Sequence, residues 1–141
     1  MARLDDVTIR QPSKLFIKIG INDISQNIPL EIIVKNILSI VERVTAKSPA
    51  TKIYVHSILP ANDNVKNEYP EAFNKNDQVR MVNGLLSQKA KTNKFIYIDL
   101  DEEFKDKEGK LNVKYAEPDG LHLNENGYQT WIGLLKAKGY L

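Results

Sequence analysis

The sequence predicts an α/β fold, in which a parallel sheet lies between two layers of helices. Three short apolar runs rich in β-branched residues alternate along the chain with longer segments of helical periodicity. This alternation is typical of parallel sheets, because each parallel strand needs a long crossover connection to the next. The 141 residues are enough for one hydrophobic core, so we expect a single domain over residues 1–141.

The composition excludes several classes of function. The chain has 20 basic and 18 acidic residues, a balance that does not favour nucleic acid or membrane surfaces as partners. It has no cysteine, which excludes disulfides, a thiolate nucleophile and cysteine-based metal sites. No apolar run approaches the length of a membrane-spanning helix. We therefore expect a soluble protein, while its compartment stays open.

The first elements are predicted within residues 1–20. Leu4 and Val7 have helical spacing, which predicts the last turns of a helix that stops before Pro12. Residues 15–20 then read Leu-Phe-Ile-Lys-Ile-Gly, which predicts a mostly buried parallel strand that ends at Gly20.

The second strand is predicted between two amphipathic helices. Apolar residues recur at offsets of three and four from position 30 to position 44, which predicts a helix that ends at Ser48 and Pro49. Residues 52–59 predict a strand that stops at Pro60. Another helix is predicted over residues 76–90, with an inward face formed by Val79, Val82, Leu85 and Leu86.

Residues 61–77 form a polar connection that is longer than an ordinary loop. Connections of this length often serve as lids or binding loops. Its two aromatic residues, Tyr69 and Phe73, could line a pocket, or they could only pack the connection against the body of the domain.

The last part of the chain contains the third strand and the last helix. Residues 95–100 predict the strand, and the charged residues 101–115 predict a loop or irregular structure. A final helix is predicted over residues 125–137, with Asn124 as its N-cap. Its inward face is expected to contain Tyr128, Trp131, Ile132 and Leu135.

An acid and an imidazole lie three residues apart after the third strand. Asp119 and His122 flank Gly120, which permits a turn, and Pro118 cannot continue a helix. A carboxylate beside an imidazole fixes the tautomer of the ring and stabilises its protonated form, as in a serine hydrolase triad. The spacing also arises by chance, so the pair needs support from the rest of the chain.

The remaining chemistry is expected at the same edge of the sheet. Sites in parallel sheets form beyond the carboxyl ends of the strands. Residues 20–23, residues 57–62 and, after an excursion, residues 119–122 each follow a predicted strand. There Asn22 could donate its side-chain amide to a developing oxyanion. Alternatively, Asn22 and Asp23 only cap the turn after the strand.

Two sequence blocks resemble those of the SGNH hydrolases, also called GDSL esterases. Residues 20–23, Gly-Ile-Asn-Asp, are similar to the Gly-x-Asn-Asp block of that family, and residues 119–122, Asp-Gly-Leu-His, to its Asp-x-x-His block. The order, separation and strand contexts of the blocks agree as well. The resemblance covers nearly the whole chain and is nearest to the branch of platelet-activating-factor acetylhydrolase subunits and carbohydrate O-acetylesterases.

The resemblance implies the flavodoxin-like SGNH fold, a reaction and a set of site residues. His122 would be the general base, Asp119 the carboxylate that orients it and Asn22 a side-chain oxyanion donor, while Gly20 lets the backbone approach the site closely. The reaction would be hydrolysis of a small ester, above all an acetyl ester, with an acetylated carbohydrate as one candidate substrate, through an acyl-serine intermediate. The resemblance implies no metal and no organic cofactor.

The chain departs from the family at the nucleophile. The Gly-Asp-Ser block is absent, and none of the six serines stands in that context. Only Ser25 and Ser57 are expected near the site, and neither is favoured as the nucleophile. We therefore interpret the chain as an N-terminally incomplete SGNH domain. Its first strand would then have an unpaired edge, which favours self-association.

Two further hypotheses stay open. A non-catalytic module that binds a small molecule or carbohydrate would keep the pocket without the nucleophile. A flavodoxin-like domain for a phosphorylated ligand would need a glycine-rich loop, which the sequence lacks.

Outside the two blocks, His56 is expected to be a buried structural residue. Asp99 and Asp101 are expected at a solvated strand end, because their spacing matches no metal-binding loop.

Overall fold

The computed structural model describes residues 9–141, which contain a three-stranded parallel sheet. The strands are β1 (Lys14–Ile17), β2 (Lys52–His56) and β3 (Ile96–Ile98), and they lie side by side in that order. All pairings are parallel, as predicted, and each strand is shorter than its apolar run. Leu4 and Val7, from which the first helix was predicted, lie outside the described residues, whereas Ile9 and Arg10 are helical.

Three long helices have the bounds that their apolar periodicity predicts. These are α2 (Leu30–Lys47), α4 (Asn76–Ala90) and α6 (Glu125–Ala137). Asn124 caps α6 as predicted, because its side chain accepts a hydrogen bond of 2.8 Å from the backbone N–H of Gly127. No helix among residues 9–141 is both long and apolar enough to cross a membrane.

Three short helices correct the prediction of loops. Residues 20–23 were predicted to follow the strand, with a turn as one alternative, but α1 (Ile21–Ser25) begins there. The long polar connection contains α3 (Val65–Glu68) and a 3₁₀ turn, Pro70–Ala72. Residues 101–115, predicted as irregular, contain α5 (Asp101–Phe104) and a second 3₁₀ turn, Val113–Tyr115. Helices of four or five residues are too short to show an apolar periodicity.

The helices cover both faces of the sheet, as the α/β prediction requires. On one face, the inward side chains of α2 and α4 pack against β1 and β2. That layer includes Ile33, Ile37, Val41, Val79, Val82 and Leu86 with Ile17, Ile53 and Val55. On the other face, Leu135 of α6 and Phe104 of α5 pack against Tyr54 and Ile98. Burying a large apolar side chain stabilises the fold by about 1.5–3 kcal/mol, so each large side chain in these layers contributes on that order.

The inward face of α6 differs from the prediction. Leu135 is buried and Trp131 is half-buried, but Tyr128 is 46% exposed and Ile132 is 40% exposed, so both were wrongly predicted as inward. The helix instead turns Gly127 towards the body, where an added Cβ would lie 2.5 Å from the carbonyl oxygen of Tyr115. A glycine carries no apolar signal, so the periodicity could not reveal this close approach.

The chain that follows β2 is tied to α4 by two side-chain amides. Asn83 pairs with Ile58, accepting from its N–H and donating to its carbonyl oxygen, both at 2.8 Å. Asn76 pairs in the same way with Ala61, both at 2.9 Å. These bonds satisfy backbone groups that have left the sheet, and they fix the segment that leads to the candidate site.

Candidate active site

The Asp119–His122 pair lies in a tight loop closed by its own backbone. The N–H of Glu117 donates to the carbonyl oxygen of His122 at 2.8 Å, and the N–H of Gly120 donates to the carbonyl oxygen of Glu117 at 3.0 Å. Gly120 has φ +70°, a left-handed conformation that favours glycine. The turn therefore brings the two side chains together from positions only three residues apart.

The predicted hydrogen bond between the two side chains is confirmed. Nδ1 of His122 and Oδ2 of Asp119 are 2.6 Å apart, and Oδ1 of Asp119 accepts from the backbone N–H groups of Leu121 at 2.9 Å and His122 at 3.0 Å. Burial opposes ionisation of Asp119, but these hydrogen bonds outweigh it and lower the pKa of the carboxyl group. Because the ionised carboxylate can only accept, Nδ1 is the donor, and in the neutral imidazole Nε2 is then the nitrogen with the free lone pair.

The two side chains differ in exposure, as expected for an orienting carboxylate and a general base. The Asp119 side chain is 13% exposed, whereas that of His122 is 58% exposed. The carboxylate therefore lies behind the imidazole, and the imidazole is accessible to another molecule.

Asn22 and His122 line the same cavity, which has a volume of about 470 Å³. The prediction that both lie at one edge of the sheet is confirmed. The polar lining also includes Lys18, Ser25, Gln26, Tyr69, Glu71 and Tyr128. Apolar side chains complete the walls, among them Ile21, Ile58, Leu121 and Leu123.

Gly20 and Asn22 enter the site through the start of α1. Gly20 has φ +129°, which L side chains rarely adopt, and a Cβ there would lie 2.6 Å from Cδ1 of Ile58, so glycine is strongly favoured between β1 and the segment after β2. The alternative that Asn22 or Asp23 caps the turn is wrong, because the N-cap of α1 is Gly20 and neither of the two side chains is hydrogen-bonded among the described residues. Among the described residues the side-chain amide of Asn22 has no hydrogen-bond partner, and it lines the cavity, so it is available to a ligand.

Neither serine near the site is hydrogen-bonded to His122. Ser25 lines the cavity, but its hydroxyl donates to the carbonyl oxygen of Ile21 at 2.9 Å. Ser57 is fully buried, and its Oγ accepts from the N–H of Leu100 at 3.0 Å. In the part of the chain that the structure describes, no serine is paired with the imidazole.

The long polar connection contributes one of its two aromatics to the site. Tyr69 lines the cavity and meets the His122 ring edge-on, with ring centroids 5.9 Å apart. Phe73 is 39% exposed and does not line this cavity. Sequence reasoning did not identify Asn62, which lies against Gly120, because an isolated asparagine in a polar connection gives no pattern.

His56 is a buried structural residue, as predicted. Nε1–H of Trp131 donates to its Nε2 at 2.9 Å, and its Nδ1 lies 3.4 Å from the carbonyl oxygen of Ile17. Burial lowers the pKa of His56 from 6.5 to about 4. Protonation of Nε2 would also bring two donors face to face at Trp131, which favours the neutral ring.

Among residues 9–141, no group of three or more histidine, aspartate and glutamate side chains could hold a metal ion. Asp99 is exposed at the end of the third strand, as predicted. Asp101 was wrongly predicted at the same solvated strand end, because it is half-buried at the start of α5.

Solved structures similar to this chain share its fold. A GDSL-like lipase from Bacteroides thetaiotaomicron is 25% identical, with a TM-score of 0.83, and the match covers 97% of this chain and 67% of that one. A Streptococcus pneumonia protein described as a platelet activating factor is 25% identical, with a TM-score of 0.82, covering 96% and 67% of the two chains.

A family 3 carbohydrate esterase from Clostridium thermocellum is also similar, at 25% identity and a TM-score of 0.59, covering 96% of this chain and 63% of that one. The chain thus spans about two thirds of the length of these proteins. No curated protein sequence matches it significantly. The sequence profile of the GDSL-like lipase/acylhydrolase family matches residues 1–130. With the parallel α/β fold and both sequence blocks in place, this match shows that the chain belongs to the GDSL-like lipase/acylhydrolase family.

Proposed function

We propose that this chain supplies the acid–base and oxyanion residues of a serine-type esterase for small acyl esters. The observation that carries the proposal is the 2.6 Å bond between His122 and Asp119 at the wall of a cavity that Asn22 also lines. Since Nδ1 of His122 donates to Asp119, Nε2 can accept the proton of an attacking hydroxyl group and return it to the leaving alcohol.

Each of the other residues has a role in the same reaction. Asp119 stabilises the imidazolium that forms when His122 takes the proton. The free amide of Asn22 donates to the oxyanion of the tetrahedral intermediate. Gly20 has no side chain, so the backbone of the β1–α1 junction can approach the reacting ester.

The proposed substrate is a small ester, above all an acetyl ester of a carbohydrate. The family name covers acylhydrolases, and one similar structure is a carbohydrate esterase. The cavity supports this substrate class, because its walls combine apolar side chains with the polar side chains of Gln26, Glu71 and Tyr128, which could bind hydroxyl groups.

The nucleophilic serine is the part of the site that this sequence does not contain. The 141-residue chain should therefore hydrolyse p-nitrophenyl acetate feebly or not at all, since His122 can activate only water. The measurement is kcat/KM for the chain beside its Ser25→Ala and Ser57→Ala variants. If the chain shows robust turnover and one of these two variants abolishes it, the serine replaced in that variant is the nucleophile. Robust turnover that survives both would replace the acyl-serine mechanism with direct attack by water.

An extended protein tests the proposal itself. If the coding region upstream of Met1 encodes a Gly-Asp-Ser block, the extended protein should hydrolyse acetyl esters, and His122→Ala should abolish that activity. An extended protein whose activity is indifferent to His122→Ala and Asp119→Asn would refute the proposed roles.

A non-catalytic binding module is the second candidate. It is favoured because His122 lies beside a well-formed cavity and, among residues 9–141, is paired with no serine. For a binding module, the 141-residue chain should bind acetylated oligosaccharides without hydrolysing them, and the coding region upstream should lack Gly-Asp-Ser. Calorimetric titration with acetylated and deacetylated oligosaccharides measures this directly.

A further inference from the structure

We propose that Asn62 is a positioning residue for the Asp119–His122 pair. The inference rests on the proposed function, because it takes that pair to be the acid–base pair of the site. Among the described residues, the Asn62 side chain is not hydrogen-bonded to Asp119 or His122, and it does not line the cavity of the candidate site. It would therefore act through the loop that carries His122.

The backbone of Asn62 holds the centre of the Asp119–His122 loop. Its N–H donates to the carbonyl oxygen of Gly120 at 3.0 Å. Gly120 is the residue that turns the chain between Asp119 and Leu121. A shift of the Asn62 peptide group would therefore move the turn and, with it, the two side chains that flank it.

The side chain of Asn62 fixes that peptide group. Asn62 is 6% exposed, and its Nδ2 donates to the carbonyl oxygen of Leu111 at 3.2 Å. Its Oδ1 accepts from the N–H of Asn64 at 3.0 Å. The side-chain amide therefore closes a turn within the polar connection and also links the connection to Leu111, beyond α5. Because the amide is buried, leaving it unpaired would be costly.

Gly120 packs directly on the Asn62 amide. A Cβ at Gly120 would lie 2.2 Å from Oδ1 of Asn62 and 2.8 Å from the backbone nitrogen of Val65. The next residue, Leu121, packs against a small apolar cluster with Ala61 and Val65. The loop thus packs against Asn62 with no room for even a methyl group between them.

Asn62 is in turn connected to the core. Its neighbour Ala61 is held by its two hydrogen bonds with Asn76, at the first turn of α4. Because α4 is packed into the core, this path carries the position of a rigid helix to the His122 loop. An acid–base group needs such support, since a misplacement of about 1 Å can cost a hundredfold in rate.

The test is nitrogen-15 NMR of the 141-residue chain, which has only two histidines. In the parent chain, His122 should be in the Nδ1–H form and should give a low-field Nδ1–H proton signal. Asn62→Ala should abolish that signal and shift the ring towards the Nε2–H form. His56 is buried at a different place in the fold, so its unchanged signals would show that the variant remains folded.

Asn64→Ala is the matched control, because Asn64 is an exposed neighbour whose side chain makes no capping bond. It should leave the His122 signals unchanged. If Asn62→Ala lowers thermal stability but keeps the Nδ1–H signal and tautomer of His122, Asn62 has a structural role only and the proposal is overturned. The NMR signals of His122 can be measured without any enzymatic turnover. A negative result for Asn62 is therefore distinguishable from a failure of the proposed esterase function.

Hydrogen exchange on the parent chain tests the same coupling without a variant. The amides of Asn62 and His122 are each hydrogen-bonded, to Gly120 and Asp119 respectively. If Asn62 holds the loop, the two amides should become exposed in one opening event, with equal protection. A His122 amide that exchanges more than tenfold faster than that of Asn62 would mean that the loop opens on its own, and the inference would fail.

Discussion

The two histidines lie in opposite environments. His122 is half-exposed beside a carboxylate, whereas His56 is 1% exposed and receives a hydrogen bond from Trp131. One imidazole is therefore placed to exchange protons, and the other is held neutral as a link between β2 and α6.

His56 should make the stability of the fold sensitive to mild acid. In the unfolded chain His56 has its ordinary pKa of 6.5, so it binds a proton below that pH, whereas in the folded chain its pKa is about 4. The unfolded state thus binds more protons between these values, so stability is complete above pH 6.5 and falls as the pH drops towards 4. We expect a loss of roughly 2 kcal/mol between pH 7 and pH 5.

Urea unfolding at the two pH values measures this loss. His56→Gln has a side chain that does not titrate and can still accept from Trp131, so the loss should shrink by that amount in the variant. An equal loss in the parent chain and the variant would assign the acid sensitivity to other groups.

Gly120→Ala should destabilise the protein by more than about 1 kcal/mol. The new methyl group would meet the Asn62 side chain and the Val65 backbone, and φ +70° is strained for alanine. Gly133→Ala is the matched control, because Gly133 lies within α6 and a Cβ there would have no neighbour within 4 Å. The control should stabilise α6 by up to about 1 kcal/mol. Thermal unfolding of both variants decides, and equal stabilities would contradict the close contact at Gly120.

At the scale of elements, long periodic segments could be predicted and short ones could not. The bounds of α4 and α6 agree with their sequence patterns, since a dozen or more residues repeat the apolar spacing several times. The helix α1 has five residues and no such repeat. The orientation of α6 depends on the contact of Gly127 with Tyr115, a tertiary detail that no local pattern contains.

Self-association through β1 remains a prediction. Among the described residues β1 pairs only with β2, and Ile19 just beyond it is 48% exposed. Such an edge can pair with a second copy, and a lysine there opposes pairing. Sedimentation velocity should show concentration-dependent dimers that Ile19→Lys reduces. Met81→Lys, at a residue of α4 that is 59% exposed, should not reduce them. A chain that stays monomeric at every concentration would contradict the prediction.

At the scale of the whole molecule, the candidate site divides into a part that sequence could reveal and a part that it could not. Asp119 and His122 are close in the chain, and Asn22 follows a strand, so spacing and topology were enough to place them together. Asn62 and Asn76 act across long sequence separations through backbone partners, and a backbone partner leaves no mark in the sequence. The tertiary support of the loop therefore became visible only in the folded chain.

The pairing of Asn76 and Asn83 with the segment after β2 also matches two lengths. Seven residues of α-helix advance about 10.5 Å, and three residues of extended chain advance about 10 Å. The helix and the segment therefore meet at Ala61 and again at Ile58 without distortion. Inserting or deleting one residue between Ile58 and Ala61, or between Asn76 and Asn83, would prevent both pairs from forming together. This stretch should consequently accept substitutions more readily than changes of length, in contrast to most connections on a protein surface.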